Sequence, residues 1–484
     1  MSQKWGQEVA CCRSGQDIFW GGRPVKKEGT EKVAQFIAET SYERIPEEAV
    51  RIAKRAILDW VGVTIAGSNE PVTRIVFEQV RRMKAVGEAG VICKGFQTSA
   101  DLAAWVNGAA SHALDYDDTF ANESGFNFHP TVTLLSAVLA LGEKVKASGR
   151  EILAAYIVGI ETETRIGAAI GRVTSETGWH PTPVVGTIGA VAASANILRL
   201  NIDQTLMALG IASSLAGGLL QNFGTMTKPL HAGNSARNGV VAALLAQNGF
   251  TGNESIMEGN LGFCSMFTAG KVGGTENKEQ DLGKTWRIVT PGMSTKPYPC
   301  CRSTHSSIDA SLYLRNAEGV DASQVVKIIC KTSPQHTKLA RFHKPKSAYE
   351  GKFSIPYCIA AALLRGNILL EDFTEEKVAA PEAQGLLSKV EFQYPQEYRD
   401  NPMALTGEVA VTLANGAEYS RKIDEPKGDA RNPMTDEELL AKFQDCAQMV
   451  LRQAEIEKVA GIIHNLESLG NISDLMKIIT YTKT

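Results

Sequence analysis

Between Thr131 and Gln247 the chain repeats one theme. Apolar stretches of helical length, thick with Ala, Gly and Ser, follow one another with glycine as punctuation; GTIGAVAASANI (186–197) and ASSLAGGLL (212–220) are examples. Small residues on all sides let backbones approach closely, which fits the buried centre of a helical assembly. The pattern predicts helices over 131–141, 149–170, 183–198, 203–219 and 235–247. These glycines follow no strand and lack phosphate-loop spacing, which excludes a nucleotide-binding reading.

Helical signals also precede this block. A first helix is expected over 30–39. Pro46 with Glu47 and Glu48 then opens a helix in the expected way, and Val50, Ala53, Ile57, Trp60, Val61 and Thr64 give it an apolar face. Gly67 ends it. Ser99 caps a further helix that runs to Leu114 and into the acidic run Asp115-Tyr116-Asp117-Asp118-Thr119. Near Lys284 the texture changes. Strands are expected over 286–289, 325–332, 389–394, 408–413 and 418–423, the last two joined by the hairpin signal Asn415-Gly416. Helices over 307–317 and 353–365 lie among them. After Pro433 helix returns, over 435–452 (with Thr435 as N-cap), 454–467 and 473–479.

With 484 residues the chain is too long for one ordinary core. The expected fold is mainly α with a smaller α+β domain. An N-terminal extension (1–28) precedes an all-helical domain (29–284 plus 431–484), into which an α/β lid (285–430) is inserted. A cleft between two such domains favours a small-molecule site. A net charge of −3 argues against nucleic-acid partners. Nine cysteines, two adjacent pairs among them and no CxxC, make a poor disulfide or zinc pattern and suggest reduced thiols. No segment reads as a signal peptide or membrane span. A soluble, cytoplasmic protein is expected.

The chemistry-bearing residues gather in a few places. KPYPCCRSTH (296–305) is a stiff, proline-bearing loop that leads into a helix start, placing His305 at a helix N-terminus. Of eight histidines, His112, His129, His180, His231 and His305 sit beside Gly, Pro or acidic residues. Lys228 and Lys296 each precede proline, which suggests loops, where an ammonium can clamp a carboxylate. Asp115, Asp117 and Asp118 resemble a metal cluster, but the calcium-loop pattern is absent. A carboxylate that orients a histidine or a substrate hydroxyl fits better. Cys301, next to a second cysteine and without a local activating pattern, reads as inert or structural rather than as a nucleophile. Together these parts suit proton removal from carbon next to a carboxylate. Such a step needs a base near neutral pKa and fixed cations to hold the developing charge.

The runs HALDYDDT with HP following (112–119, 129–130), GWHPTPVVGTIGAVAASA (178–195), KPLHAGNSARNG (228–239), KPYPCCRSTH (296–305) and KFSIPY (352–357) resemble the MmgE/PrpD family. The resemblance covers about 30–480. It implies a large helical domain with a smaller α/β lid, a homodimer, and catalysis with no metal and no organic cofactor. It also implies a pocket of Asp115, Thr119, His129, His180, Lys228, Lys296, Cys301 and Tyr357. In that reading His129 and His180 are the acid–base pair, and Lys228 and Lys296 bind carboxylates. Tyr357 and Thr119 place the substrate, and Asp115 orients a partner. Cys301, His231 and His305 complete the binding set. Animal-type decarboxylases of the family carry histidine where Cys301 stands, whereas fungal ones carry a Cys-Cys pair. The implied function is a cofactor-independent lyase on a small di- or tricarboxylate, a dehydratase or decarboxylase. An epimerase of an amino- or imino-dicarboxylate is the alternative, and a metal-dependent hydrolase the remote one. The motifs fix neither the substrate nor the choice among water loss, CO2 loss and epimerisation.

Overall fold

The computed structural model describes residues 28–121, 127–272, 281–401 and 404–481. The expected extension 1–28 therefore lies outside the described residues, apart from Glu28, which begins the first helix. The longer helices of the N-terminal part are α1 (Glu28–Glu39), α2 (Glu47–Gly67), α3 (Pro71–Met83), α4 (Ala100–His112), α5 (Thr131–Val145), α6 (Gly149–Ile170), α7 (Pro181–Ile197), α8 (Ile202–Leu215) and α9 (Thr227–Gln247). Capping boxes start α6, where Ser148 faces Glu151, and α8, where Asn201 faces Gln204. Among the described residues, no helix is long and apolar enough to cross a membrane.

Helix α7 is the centre. Every residue of it except Asn196 is buried, as an all-round apolar helix must be. Its glycines are required by neighbours: a Cβ on Gly186 would sit 2.7 Å from Thr133 Cγ2, and one on Gly189 would sit 2.8 Å from Leu134 Cδ2. The α4–α9 crossing is as tight. A Cβ on Gly108 would lie 2.8 Å from Gly233 Cα, and one on Gly233 would press on the Trp105 carbonyl. Gly67 does close α2, but not through a left-handed turn: a Cβ there would run into the Ala110 carbonyl of α4.

Two expectations are corrected. Helix α9 begins at Thr227 rather than at 235. Proline is tolerated in the first helical turn, where its missing N–H has no intrahelical partner to lose, so Pro229 does not block the helix. Lys228 and His231 consequently ride on a helix and not on a loop. Residues 286–289 are not a strand. The amides of Val289 and Thr290 both turn back to the Trp286 carbonyl at 3.0 Å, and the chain enters a wide helical turn, Ile288–Gly292. Local bonds satisfy the backbone there, and Trp286 packs on Phe36 with ring centroids 6.0 Å apart.

Two short antiparallel pairs, β1 (Ala89–Val91) with β2 (Phe96–Thr98) and β3 (Phe120–Ala121) with β4 (Asn127–Phe128), edge the helical part. The main sheet has the order β6-β5-β7-β8, from β5 (Val325–Lys331), β6 (Val390–Gln393), β7 (Gly407–Leu413) and β8 (Glu418–Ile423). The β5–β6 pair is parallel and the other two are antiparallel. Gly416, at φ +86°, makes the β7–β8 turn that Asn415-Gly416 signals. Helices α10 (His305–Asn316) and α11 (Ile355–Arg365) share with this sheet a core of its own, built around Ile308, Leu314, Ile328, Ile359 and Val409.

The C-terminal helices α12 (Asp436–Ala447), α13 (Gln453–His464) and α14 (Ser473–Thr480) return to the helical part. Phe443, Ile456 and Ile479 join the core formed by α2, α4 and α5, and Lys442 pairs with the buried Asp59 of α2 at 2.6 Å. Thr435 caps α12 as expected, in a reciprocal pair with Glu438. On these separate cores we propose the division into 29–284 plus 431–484 and 285–430 as the two structural units.

The helix crossing makes a stability prediction. Gly233→Ala forces a methyl into the Trp105 carbonyl and is expected to cost about 1–3 kcal/mol. Gly461→Ala on α13, where an added Cβ meets nothing, is expected to be neutral or to stabilise by up to about 1 kcal/mol. Urea unfolding of both variants checks this; equal midpoints would contradict the close-packing account.

Candidate active site

The turn that follows α4 carries the site. Asp115 adopts a left-handed backbone (φ +52°), a conformation Asp tolerates better than most residues. Its carboxylate is buried and meets two ammonium groups. Lys228 Nζ, from the first turn of α9, reaches Oδ1; Lys296 Nζ, from the proline-bearing segment, lies 3.2 Å from Oδ2 and donates to the Asp115 carbonyl at 2.7 Å. Burial alone would raise this carboxyl's pKa, but Lys228 and Lys296 outweigh it and hold the group far below the usual carboxylate range. For Lys296, burial pulls the ammonium down while Asp115 and Asp117 more than restore it.

Asp117 organises the imidazoles. Its Oδ2 accepts from His129 Nδ1 at 2.7 Å and its Oδ1 from His112 Nδ1 at 2.9 Å. Burial opposes ionisation of Asp117, yet the two imidazoles bonded to it keep its carboxyl well below the ordinary value. An ionised carboxylate only accepts, so both Nδ1 atoms carry the hydrogen. His129 Nε2 is then the free basic nitrogen, 3.8 Å from Asp115 Oδ1. His180 occupies the N-cap position of α7, and its Nδ1 lies 3.2 Å from Nδ1 of His231. Burial and the nearby positive charges keep these rings neutral. His129 is pushed down to about 3 and His231 to about 4, burial being the main cause in both, and His180 falls well below its ordinary value.

These groups face a cavity of about 530 Å³ at the junction of the two units. Asp115, Thr119, His129, His180, Lys228, Lys296 and Cys301 all line it. Burial pushes the Cys301 thiol up to about 11, so it stays protonated at neutral pH. His231 stands behind His180 rather than on the cavity wall. His305 and Tyr357 are placed elsewhere. His305 packs on Tyr298 and bonds the Cys300 carbonyl through Nε2 at 3.3 Å. Tyr357 lies in the core of the sheet-bearing unit, its hydroxyl donating to the Asp372 carbonyl. Neither lines the cavity. The acid bonded to the imidazoles is Asp117, while the partners that Asp115 meets most closely are the two lysines.

Sequence reasoning missed Phe223 and Phe353. Their rings flank Lys228 Nζ at 5.3 and 5.4 Å, and both line the cavity. Phe353 lies in the KFSIPY run, which gives it no role, and no local pattern marks Phe223. Asp117 was visible as one of a run of acids, but only the turn geometry separates its task from that of Asp115. His112, Asp115, Asp117 and His129 also bring donor atoms within 4.8 Å of one another, as a metal site would. Both oxygens of Asp115 already face ammonium groups, however, and a dication there would have to displace Lys228 and Lys296.

A mainly helical protein with a smaller sheet-bearing part, and with buried imidazoles and ammoniums converging on one cavity, is the class that fold and site define. The chain belongs to the MmgE/PrpD family: the family's N-terminal domain matches residues 31–274 and its C-terminal domain residues 298–468. It is 30% identical to the cis-aconitate decarboxylase of Homo sapiens over 463 residues, 93% of this chain and 94% of that protein. It is 29% identical to the cis-aconitate decarboxylase of Mus musculus, covering 94% and 93% of the two chains. The cis-aconitate decarboxylase of Aspergillus terreus matches at 27% identity over 93% of this chain and 95% of its own. Family and relatives point to a lyase of the decarboxylase or dehydratase type.

Asp115→Asn leaves two buried ammonium groups without their carboxylate. Breaking a buried pair in this way typically costs about 3–5 kcal/mol. Urea unfolding at pH 7 is expected to show a loss of that size; a loss below about 1 kcal/mol, the range of an exposed pair, would mean that the lysines are held by something else.

Proposed function

We propose that this chain is a lyase that acts without metal or organic cofactor on a small tri- or dicarboxylate, decarboxylation of an aconitate-type substrate being the first reading. The observation that carries it is the pair of buried ammoniums, Lys228 and Lys296, set around Asp115 next to the free Nε2 of His129. Relatives named cis-aconitate decarboxylase, matched over more than nine-tenths of both chains, support the same reading. We also propose a homodimer, on the family resemblance, and a reducing, cytoplasm-like compartment, on the odd number of cysteines, the two adjacent pairs and the lack of a CxxC spacing in the sequence.

In this proposal Lys228 and Lys296 hold substrate carboxylates as point charges and stabilise the negative charge that develops during reaction. Thr119 places the substrate; its Oγ1 has no hydrogen-bond partner among the described residues. His129 and His180 exchange protons with the carbon skeleton. In decarboxylation the bond to one carboxylate breaks and CO2 leaves. The electron pair stays on the skeleton, which then takes a proton from an imidazolium. In dehydration, the second reading, a neutral imidazole removes a proton next to a carboxylate, the electron pair forms the alkene, and the hydroxyl departs as water with the proton that the first ring took up, passed on through the other imidazole. In epimerisation the proton is returned to the opposite face. A metal-dependent hydrolase, the remote reading, would have to use the four-residue cluster whose Asp115 the lysines occupy.

The low imidazole pKa values separate the first two readings. The free site holds His129 neutral, with its pKa pushed down to about 3 by burial. A step that needs the imidazolium therefore speeds up as pH falls, by at most about tenfold per unit, whereas a step that needs the neutral ring does not. For decarboxylation kcat/KM is expected to climb from pH 8 to 5; for dehydration it is expected to stay flat there. A limb centred near pH 6.5, an unshifted imidazole, would contradict the depressed values.

The substrate panel is citrate-like, aconitate-like and amino-dicarboxylate compounds in deuterated water, followed by proton NMR. CO2 loss from the aconitate-type compound is expected, and His129→Ala and His180→Ala should each lower turnover by ~10² or more. Water loss alone would move the assignment to a hydro-lyase, and label wash-in without alkene or CO2 to an epimerase. Activity abolished by chelators would favour the hydrolase.

A further inference from the structure

Three consecutive carbonyls of the turn that presents Asp115 are each held by a buried lysine from a different part of the chain. Lys352 Nζ donates to Leu114 O at 2.8 Å, Lys296 Nζ to Asp115 O at 2.7 Å, and Lys442 Nζ to Tyr116 O at 2.8 Å. The turn follows the C-terminus of α4, the end of a helix where cations are favoured. Asp115 itself sits at positive φ, a conformation that persists when its surroundings over-determine it.

The three lysines are not equivalent. Lys296 also meets the Asp115 carboxylate, and Lys442 has Asp59. Lys352 makes no ion pair among the described residues; beyond Leu114 O, its ammonium has the Phe373 ring, with the centroid at 5.9 Å. Burying an ammonium without a carboxylate is costly, and a surface lysine would be the cheaper choice. The backbone of Lys352 reaches the site as well. Its carbonyl accepts the Cys301 amide at 2.9 Å, and the next ring, Phe353, lines the cavity beside Lys228. One residue of the sheet-bearing unit thereby ties together the Asp115 turn, the Lys296–Cys301 segment and one wall of the cavity, while its own side chain does not line that cavity.

We propose that Lys352 is a positioning residue: its grip on Leu114 O fixes the Asp115 turn, and hence the Lys228–Asp115–Lys296 charge arrangement, against the sheet-bearing unit. The proposal rests on the proposed carboxylate chemistry of that site. The groups that face the Lys352 ammonium are the Glu70 and Asp115 carboxylates, the Cys300 thiol and Lys296. Burial outweighs the acids and brings Lys352 down to about 8. The charge on the clamp is therefore lost as pH rises through about 8, and the wild type gains an alkaline limb there. Asp118, whose carboxyl burial raises to about 8, also titrates in this range.

The test uses the full chain, with Lys352→Met and Lys352→Arg. Turnover of the substrate found in the panel is measured from pH 6 to 10, and calorimetry follows binding of propane-1,2,3-tricarboxylate, which has no reactive alkene or hydroxyl. In Lys352→Met, kcat is expected to fall by about 10- to 100-fold, the scale of an ångström-size misplacement, and tricarboxylate binding to weaken. Lys352→Arg keeps the charge at high pH and is expected to recover most of the turnover and to lose the limb near pH 8. A drop in melting temperature with kcat per folded molecule unchanged would reduce Lys352 to a structural role and overturn the proposal. A limb that persists in Lys352→Arg comes from a group other than Lys352, such as Asp118, and counts against the proposal. Where Lys352→Met does not fold, Lys352→Gln, which keeps a neutral donor to Leu114 O, is read by the same pH profile. A wild type that neither turns over nor binds any tricarboxylate sinks the functional reading itself; a working wild type with an equally active Lys352→Met sinks only the positioning role.

Discussion

One buried carboxylate answers two buried ammonium groups, and much of the molecule is arranged around that ratio. Asp115 supplies both oxygens, Lys228 comes from a helix start and Lys296 from a proline-stiffened segment. None of the three is tolerable alone at this depth, because an isolated buried charge costs far more than any single packing contact returns. The site therefore exists only when the turn after α4, the first turn of α9 and the 296–301 segment are brought together in register. A carboxylate-bearing ligand is the natural complement of the second ammonium.

The close helix packing serves this assembly. Helix α4 ends just before the Asp115 turn and α9 carries Lys228 in its first turn, so their separation sets the distance between carboxylate and ammonium. Gly108 and Gly233 let the two backbones meet nearly in contact. Larger side chains there would move the helix ends apart, and an ion pair held in low dielectric is sensitive to such a shift. The abundance of Ala, Gly and Ser is in this sense a property of the site as much as of the core.

Much of this was legible in the chain itself. Helical periodicity and proline or acid starts gave the helical part, and β-branched alternation with Asn415-Gly416 gave the sheet, because those signals are local. Where a signal had two local solutions the reading failed. Pro229 looked like a loop marker but sits in a first helical turn, and 286–289 has strand composition but satisfies its amides by turning back on Trp286. The cavity residues Asp115, Thr119, His129, His180, Lys228, Lys296 and Cys301 came from motif resemblance. Tyr357 and His305 belong to the same motifs yet point into packed surroundings, since a motif records neighbours along the chain and not the direction of a side chain. Phe223 left no local trace, and Lys352 and Phe353, though part of the KFSIPY run, carried no sign of their roles, which arise from contacts far apart in sequence.

The electrostatics of the empty and filled cavity differ in a way that bears on the chemistry. Without a ligand, burial and the ammonium charges keep His129 and His180 neutral. A polyanion entering the same space brings negative charge within a few ångströms of both rings and raises their proton affinity, the reverse of what the lysines do. On the proposed carboxylate chemistry, substrate binding and imidazole protonation are coupled: the acid is strongest when nothing is bound and is loaded only as the substrate arrives. Asp117 keeps this coupling directional. By accepting from Nδ1 of His129 it confines the proton change to Nε2, the nitrogen 3.8 Å from Asp115, where the proposed reaction needs the charge.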